Sequence, residues 1–306
     1  MPHALIELMA DMVRSAPKPK AWTNTDLTEQ TLSVLQRECE TPSDFDQIFS
    51  REHFWALYRT GRIDPVVKQT DGAILVALLN NPDQMDEIPW DLWSILLQLY
   101  KRPDGQPYTI FLCAHPALRQ FPKKNKPVTP LNINGGYAYP CDSTCVFIYR
   151  AEDATRVLIH ELFHAACSDN TALPLEVREA ETEAWAELIW AAFMCDNAKL
   201  RQGDLKELEK IVNDQASYIH HQNRILQDNG HMKGDPSSMP FPWRYTVGKE
   251  DVWTRWGLSV YETSNASHAK NSNDRCEDHK HSLRLTFHPT LDMKRRWKVS
   301  NTSTIL

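Results

Sequence analysis

Glycine is scarce in this chain, ten in 306 residues and equalled by ten tryptophans. That ratio excludes a flexible, tail-like protein and suits a compact, mostly helical globule. No apolar run approaches the about 20 residues that span a bilayer, so no membrane partner is expected. Positive charge is also short. The formal net charge is −6, which leaves no global basic footprint for nucleic acid. The two local basic clusters, Lys123-Lys124-Asn125-Lys126 and Lys294-Arg295-Arg296-Trp297-Lys298, read as solvated loop or helix ends. Seven cysteines make an odd count without a disulfide framework, which fits a reducing, intracellular and cytoplasmic setting. Cys141 and Cys145 lack a second pair at similar spacing and read as incidental thiols. The start, Met1 to Glu7, loses its apolar character too early for a signal peptide. No internal repeat is present.

What the chain does have is H-E-x-x-H at His160-Glu161-Leu162-Phe163-His164, inside a run with helical apolar spacing. On a helix, positions i and i+4 share a face, so both imidazoles can reach one ion, with Glu161 one step round beside them. Such a pair suits zinc, whose catalytic sites add a third protein ligand and keep one position open for water. The bare motif would arise by chance in roughly a few per cent of chains of this composition. Its setting sharpens it. The helix is apolar, where unpartnered histidines are costly to bury. A strand, Cys145 to Tyr149, precedes it, and a carboxylate-rich helical pattern from Glu176 to Glu187 follows a break at Pro174.

Within that second helix Glu176 reads as a charge in the first turn, favourable at a helix N-terminus. Glu179, Glu183 and Glu187 fall at steps of four on one face, and Glu181 points away. Glu179 leaves fourteen residues after His164, which looks short for reversing the chain; Glu183 leaves eighteen. The pattern His160, His164, eighteen residues, Glu183 resembles the gluzincin metallopeptidases, over residues 157–190. The resemblance implies Glu183 as third zinc ligand and Glu187, four residues on, as the carboxylate that orients His160. It also implies an oxyanion-stabilising Tyr or His from the C-terminal half. Tyr245 is the residue expected in that role, with His231 and His288 as competitors. The run from Gly135-Gly136-Tyr137 to His164 is further similar to uncharacterised zinc-peptidase-like proteins of large DNA viruses.

The expected fold is α+β, mostly helical and zincin-like: a small sheet packed on the H-E-x-x-H helix, with a C-terminal helical lobe. Residues 1–104 would form an N-terminal helical region packed on the core, 105–200 the catalytic core, and 201–306 the helical lobe with a polar loop. Helices are expected over Leu27–Cys39 (capped by Thr25 or Asp26), after Ser43, over Trp90–Tyr100 and over Asp204–Asp228. Ala73 to Leu79 is apolar all round, so periodicity leaves helix or strand open. Tyr108–Cys113 reads as a strand, and Gly135-Gly136 as a turn beside a short one. The His220-His221 pair reads as a surface feature, and Cys276, His279 and His281 as an incidental cluster in a polar stretch.

The function expected is zinc-dependent hydrolysis of peptide bonds. His160, His164 and Glu183 would hold Zn²⁺, and Glu161 would carry the proton from water to the leaving amine. Peptide or protein substrates are the partners implied. Competing readings are a non-catalytic zincin-fold interaction protein, a zinc hydrolase of non-peptide substrates, and a di-iron protein. The last needs a second E-x-x-H, which the chain lacks.

Overall fold

The computed structural model describes residues 2–102, 104–232, 243–258 and 282–287. Cys276, His279, His281 and His288 lie outside the described residues, as does the second basic cluster. The N-terminal third contains α1 (Pro2–Arg14), β1 (Thr23–Asn24), α2 (Glu29–Glu40), α3 (Ser50–Arg59), β2 (Val66–Thr70), β3 (Ala73–Leu78) and α4 (Trp90–Leu99). Next come β4 (Tyr108–His115), α5 (Pro130–Ile133), β5 (Gly136–Ala138), β6 (Val146–Arg150) and α6 (Ala154–Ala165). The chain continues as α7 (Leu175–Phe193), α8 (Asn197–Arg201), α9 (Lys206–Asp228), a π turn at Trp243–Val247 and α10 (Gly248–Arg255).

One six-stranded sheet in the order β1-β2-β3-β4-β6-β5 organises the fold. β3, β4 and β6 run parallel; β1, β2 and β5 pair antiparallel to their neighbours. This sheet is larger than the small one expected; β1 and β2 fall in the region expected to be helical, and β3 is a strand at the stretch where helix and strand were both open. Both of its faces are covered. Leu75, Ile110, Leu112, Val146 and Ile148 pack towards α1, α4, α6 and α7. The alternating Val76, Phe111, Phe147 and Tyr149 pack towards Leu35 of α2 and Phe54 of α3. Strands buried on both faces lose the alternation that identifies a strand, which is why Ala73 to Leu79 is ambiguous as sequence. The larger core cluster runs continuously from Ile6 to Leu285.

Two helix starts differ from expectation. Thr28, not Thr25 or Asp26, caps α2 by accepting from the Thr31 amide. Ser43 is not the cap of α3; the Asp46 carboxylate accepts from the amides of Ser50 and Arg51, supplying from one side chain what the helix N-terminus lacks.

α6 lies between β5 and β6 on one side and α7 on the other, and all its residues but Phe163 are buried. Its end is well defined. Ser168 N donates to Phe163 O and Cys167 N to His164 O, the paired bonds of a Schellman motif. Cys167 takes the left-handed position with φ 57°, where glycine is usual. It is bonded through sulfur to Cys141, itself at φ 62°. The expectation of Cys141 as an incidental thiol is therefore corrected. Cys39, Cys113, Cys145 and Cys195 are free and buried. No helix among the described residues is long and apolar enough to cross a membrane.

The two glycines before β6 are explained by packing rather than by a turn. A Cβ on Gly136 would lie 2.6 Å from Val157 Cγ1 and 2.7 Å from Phe147 O, and one on Gly135 would collide with Arg119 Nη2. Only a strand without side chains at these positions can lie this close to α6.

Candidate metal centre

α6 and α7 face each other as two ladders with a step of four residues. Arg156, His160 and His164 project from α6; Glu187, Glu183 and Glu179 project from α7 to meet them. All six are buried. Because α7 is surrounded by α1, α6, α9 and α10, its carboxylates sit in an apolar mass and each needs a charged or hydrogen-bonding partner.

His160 Nε2 and His164 Nε2 lie 3.0 Å apart. Glu179 Oε2 is 3.5 Å from the first and Glu179 Oε1 is 3.5 Å from the second. Donors at about 2.0–2.1 Å from a tetrahedral ion lie about 3.3 Å from one another, so the two imidazole nitrogens are spaced as ligands of one small cation, while Glu179 turns a different oxygen to each of them. His160, Glu161 and His164 also offer donor atoms that all lie within 4.8 Å of one another. Glu161, next to His160 on the helix, faces the adjoining cavity with His160, Glu183 and Tyr245. A buried His/Glu/His group that could hold a metal ion is therefore present.

Glu183, expected as the third ligand, does not face the Nε2 pair. Its Oε1 is 3.2 Å from the opposite nitrogen of His160, Nδ1, though off the line of a hydrogen bond. Its other oxygen accepts from Arg156 Nη2. Glu187, expected to orient His160, is one turn too far along α7 for that; it accepts from Arg156 Nε at 3.1 Å and from Lys249 Nζ at 3.2 Å. The short reach to Glu179 is met because the chain reverses immediately after His164, through the Schellman turn. His164 Nδ1 is paired with Asp169 Oδ2 at 2.9 Å, and Arg178 Nε lies 3.3 Å from the same oxygen.

Tyr245, brought in by the π turn, puts its hydroxyl 3.3 Å from Glu179 Oε2 and its ring 6.1 Å from that of His160. His231 is elsewhere, bonded through Nδ1 to the carbonyl of Lys126 at 2.8 Å.

The charges follow from this packing. Burial pushes the Glu161 carboxyl up to about 7, against the opposing pull of His160 and His164. Burial lowers His164, but the bonds to Asp169 and Glu179 outweigh it and hold the imidazolium up to about 10. Burial opposes ionisation of Glu179 as well, yet the two histidines keep it well below the carboxylate range. Glu183 is likewise depressed against burial, mainly by Arg156. For Glu187 burial prevails over Lys249 and Arg156, and its affinity for the proton is raised.

Sequence reasoning missed Asp169, Arg156, Lys249 and Arg178. Arg156 was within reach, since it stands four residues before His160 on the same helical face. Nothing local marks Lys249, sixty-two residues from Glu187. Compared with families of proteins, with curated proteins and with solved structures, the chain matches none.

Proposed function

We propose that this protein is a zinc-dependent peptidase in which His160, His164 and Glu179 hold the ion. The observation that carries the reading is the pair of buried imidazole nitrogens 3.0 Å apart, with one oxygen of the Glu179 carboxylate 3.5 Å from His160 Nε2 and the other 3.5 Å from His164 Nε2. Asp169 accepts from His164 Nδ1, and Glu183 stands beside His160 Nδ1. Such outer partners fix the ring orientation and make Nε2 the metal-facing nitrogen. When bound, zinc would polarise a scissile carbonyl and acidify a water.

The remaining work falls to the chain's own side chains. Glu161 is placed to take the proton of the attacking water and hand it to the leaving amine. Its carboxyl, raised to about 7 by burial, has the affinity a proton carrier needs near neutral pH. The Tyr245 hydroxyl is placed to donate to a developing oxyanion. β5 ends the sheet among the described residues, the position from which a sheet takes up an extended peptide by strand addition.

Metal analysis of the purified protein, with peptide cleavage measured before and after chelation, tests this. One zinc per chain and cleavage lost with it are expected. Folded protein that takes up no zinc would refute the reading.

A further inference from the structure

The Cys141–Cys167 disulfide lies at the end of the helix that carries both imidazoles, and both of its residues are exposed. Its two halves meet at one atom of that helix. The carbonyl oxygen of His164 accepts from Cys141 N at 2.9 Å and from Cys167 N at 3.1 Å. Arg102 closes the same corner, donating through Nη1 to Cys141 O at 2.9 Å and to Ala165 O at 2.7 Å. The sulfur bridge therefore joins the loop between β5 and β6 to the turn from which Asp169 reaches back to His164 Nδ1.

Both cysteines hold left-handed backbone, at φ 62° and 57°, a region that residues with a Cβ seldom adopt. While the bridge is closed, neither residue can leave that region without moving the other. Once it is open, Cys167 is free to do so, and Ser168 and Asp169 follow it in the chain. Arg178, with Nε 3.3 Å from Asp169 Oδ2, stays in either state, so the pairing of Asp169 with His164 is loosened rather than abolished. Other thiols do not compete for such chemistry. Cys39, Cys113, Cys145 and Cys195 are buried, and burial pushes their thiols up, those of Cys39 and Cys195 to about 12. A thiol that does not ionise near neutral pH exchanges poorly. Among the described residues, exchange with solutes is therefore confined to the one bridge that abuts His164.

We propose that Cys141 and Cys167 form a reversible thiol–disulfide switch that sets how tightly the centre holds its metal. The switch rests on the metal reading and not on peptide cleavage. A dithiol from outside supplies two electrons and two protons. Its thiolate attacks one sulfur of the bridge, its second sulfur resolves the mixed disulfide, and it leaves as a disulfide while Cys141 and Cys167 become thiols. A small disulfide such as oxidised glutathione reverses the exchange and leaves as two thiols. The closed bridge presents Asp169 to His164 Nδ1 and favours the bound metal; the open one withdraws that support and favours release.

The full chain is prepared with the bridge closed, as shown by peptide mapping. A second portion is reduced with dithiothreitol, which is removed under argon before zinc is added, and part of that portion is reoxidised with oxidised glutathione. Zinc affinity is read in all three by competition with a chelator. The dissociation constant should rise about 10–100-fold on reduction, the range for losing a partner that orients a ligand, and return on reoxidation. The double variant Cys141→Ser/Cys167→Ser has no thiol with which to hold zinc directly, so it separates the turn from thiol ligation. It should show the weaker affinity in every condition; should it not fold, the three wild-type portions decide. Amide exchange at Cys167 and Ser168 in the metal-free protein should quicken on reduction. Equal affinity in the closed and open forms overturns the switch and leaves the metal reading standing. A reduced protein that no longer melts cooperatively also overturns it, since the bridge would then be a staple of the fold. Zinc taken up by neither form refutes the metal reading, and the switch with it.

Discussion

Arg156 and Glu183 form a fully buried ion pair one helical turn from His160. On the proposed reading, that pair decides which carboxylate is left for a metal. With one oxygen committed to Arg156 and the other beside His160 Nδ1, Glu183 is turned away from the Nε2 nitrogens, and Glu179 takes the position facing them.

Alanine substitutions should therefore rank Glu179 first. Glu179→Ala is expected to lose zinc outright in equilibrium competition with a chelator. Glu183→Ala should weaken affinity roughly 10–100-fold, the range for a residue that orients a ligand. Glu187→Ala should act through stability, because it leaves Arg156 and Lys249 buried with one carboxylate fewer. If Glu183→Ala proves the most damaging to zinc binding, the ligand assignment returns to Glu183.

Glu161→Gln keeps shape and hydrogen bonding but cannot carry a proton. It should retain zinc and lose turnover on the order of 10²–10⁴-fold. Tyr245→Phe should lower kcat on the order of 10²–10³-fold, the range for a single oxyanion donor, with little change in KM. Unchanged cleavage in either variant removes that residue from the reaction.

How much of this was legible beforehand depends on how local the signal is. His160, Glu161 and His164 are fixed by a four-residue step, and the facing carboxylates by two further steps of four, so the paired ladders can be read from sequence. Which rung meets which cannot. That is set by how quickly the chain reverses after His164, and the turn uses cysteine where glycine would have announced it. The sheet was underestimated because strands covered on both faces carry no alternation, and β2 is only five residues long. Lys249 and Asp46 act across the fold or against a helix end whose position sequence had misplaced.

The metal-free protein should be sensitive to alkali. His164 is held protonated up to about 10, above the about 6.5 of an unperturbed histidine. A raised folded-state value contributes stability that is complete below about pH 6.5 and is lost as pH rises through about 10. Glu161, raised to about 7, acts in the same direction from a lower starting point. Zinc needs the neutral imidazole, so uptake near pH 7 should release protons, and apparent affinity should rise up to about tenfold per pH unit. Zinc titrations in buffers of different ionisation enthalpy measure the protons directly. Affinity independent of pH between 6 and 8 would show that His164 is not the protonated group.

The Cys141–Cys167 bond joins the loop before β6 to the turn that ends α6, across a separation of 26 residues. Closing a loop of that length restricts the unfolded chain by about 3.5 kcal/mol on the chain-entropy account. It also holds two residues in left-handed backbone that neither side chain favours. Between His164 and Asp169 stands Cys167, so the turn it fixes sets the approach of Asp169 to His164 Nδ1. Reduction, or Cys141→Ser, should lower the melting temperature by about 5 °C and weaken zinc binding through the loosened Asp169. Cys145→Ser, at a buried thiol outside the bond, should leave zinc affinity unchanged. Thermal melts and chelator competition with and without reductant make the comparison. Identical curves in both conditions would mean that the bond does not form in solution, and the Schellman turn would then have to hold Cys167 alone.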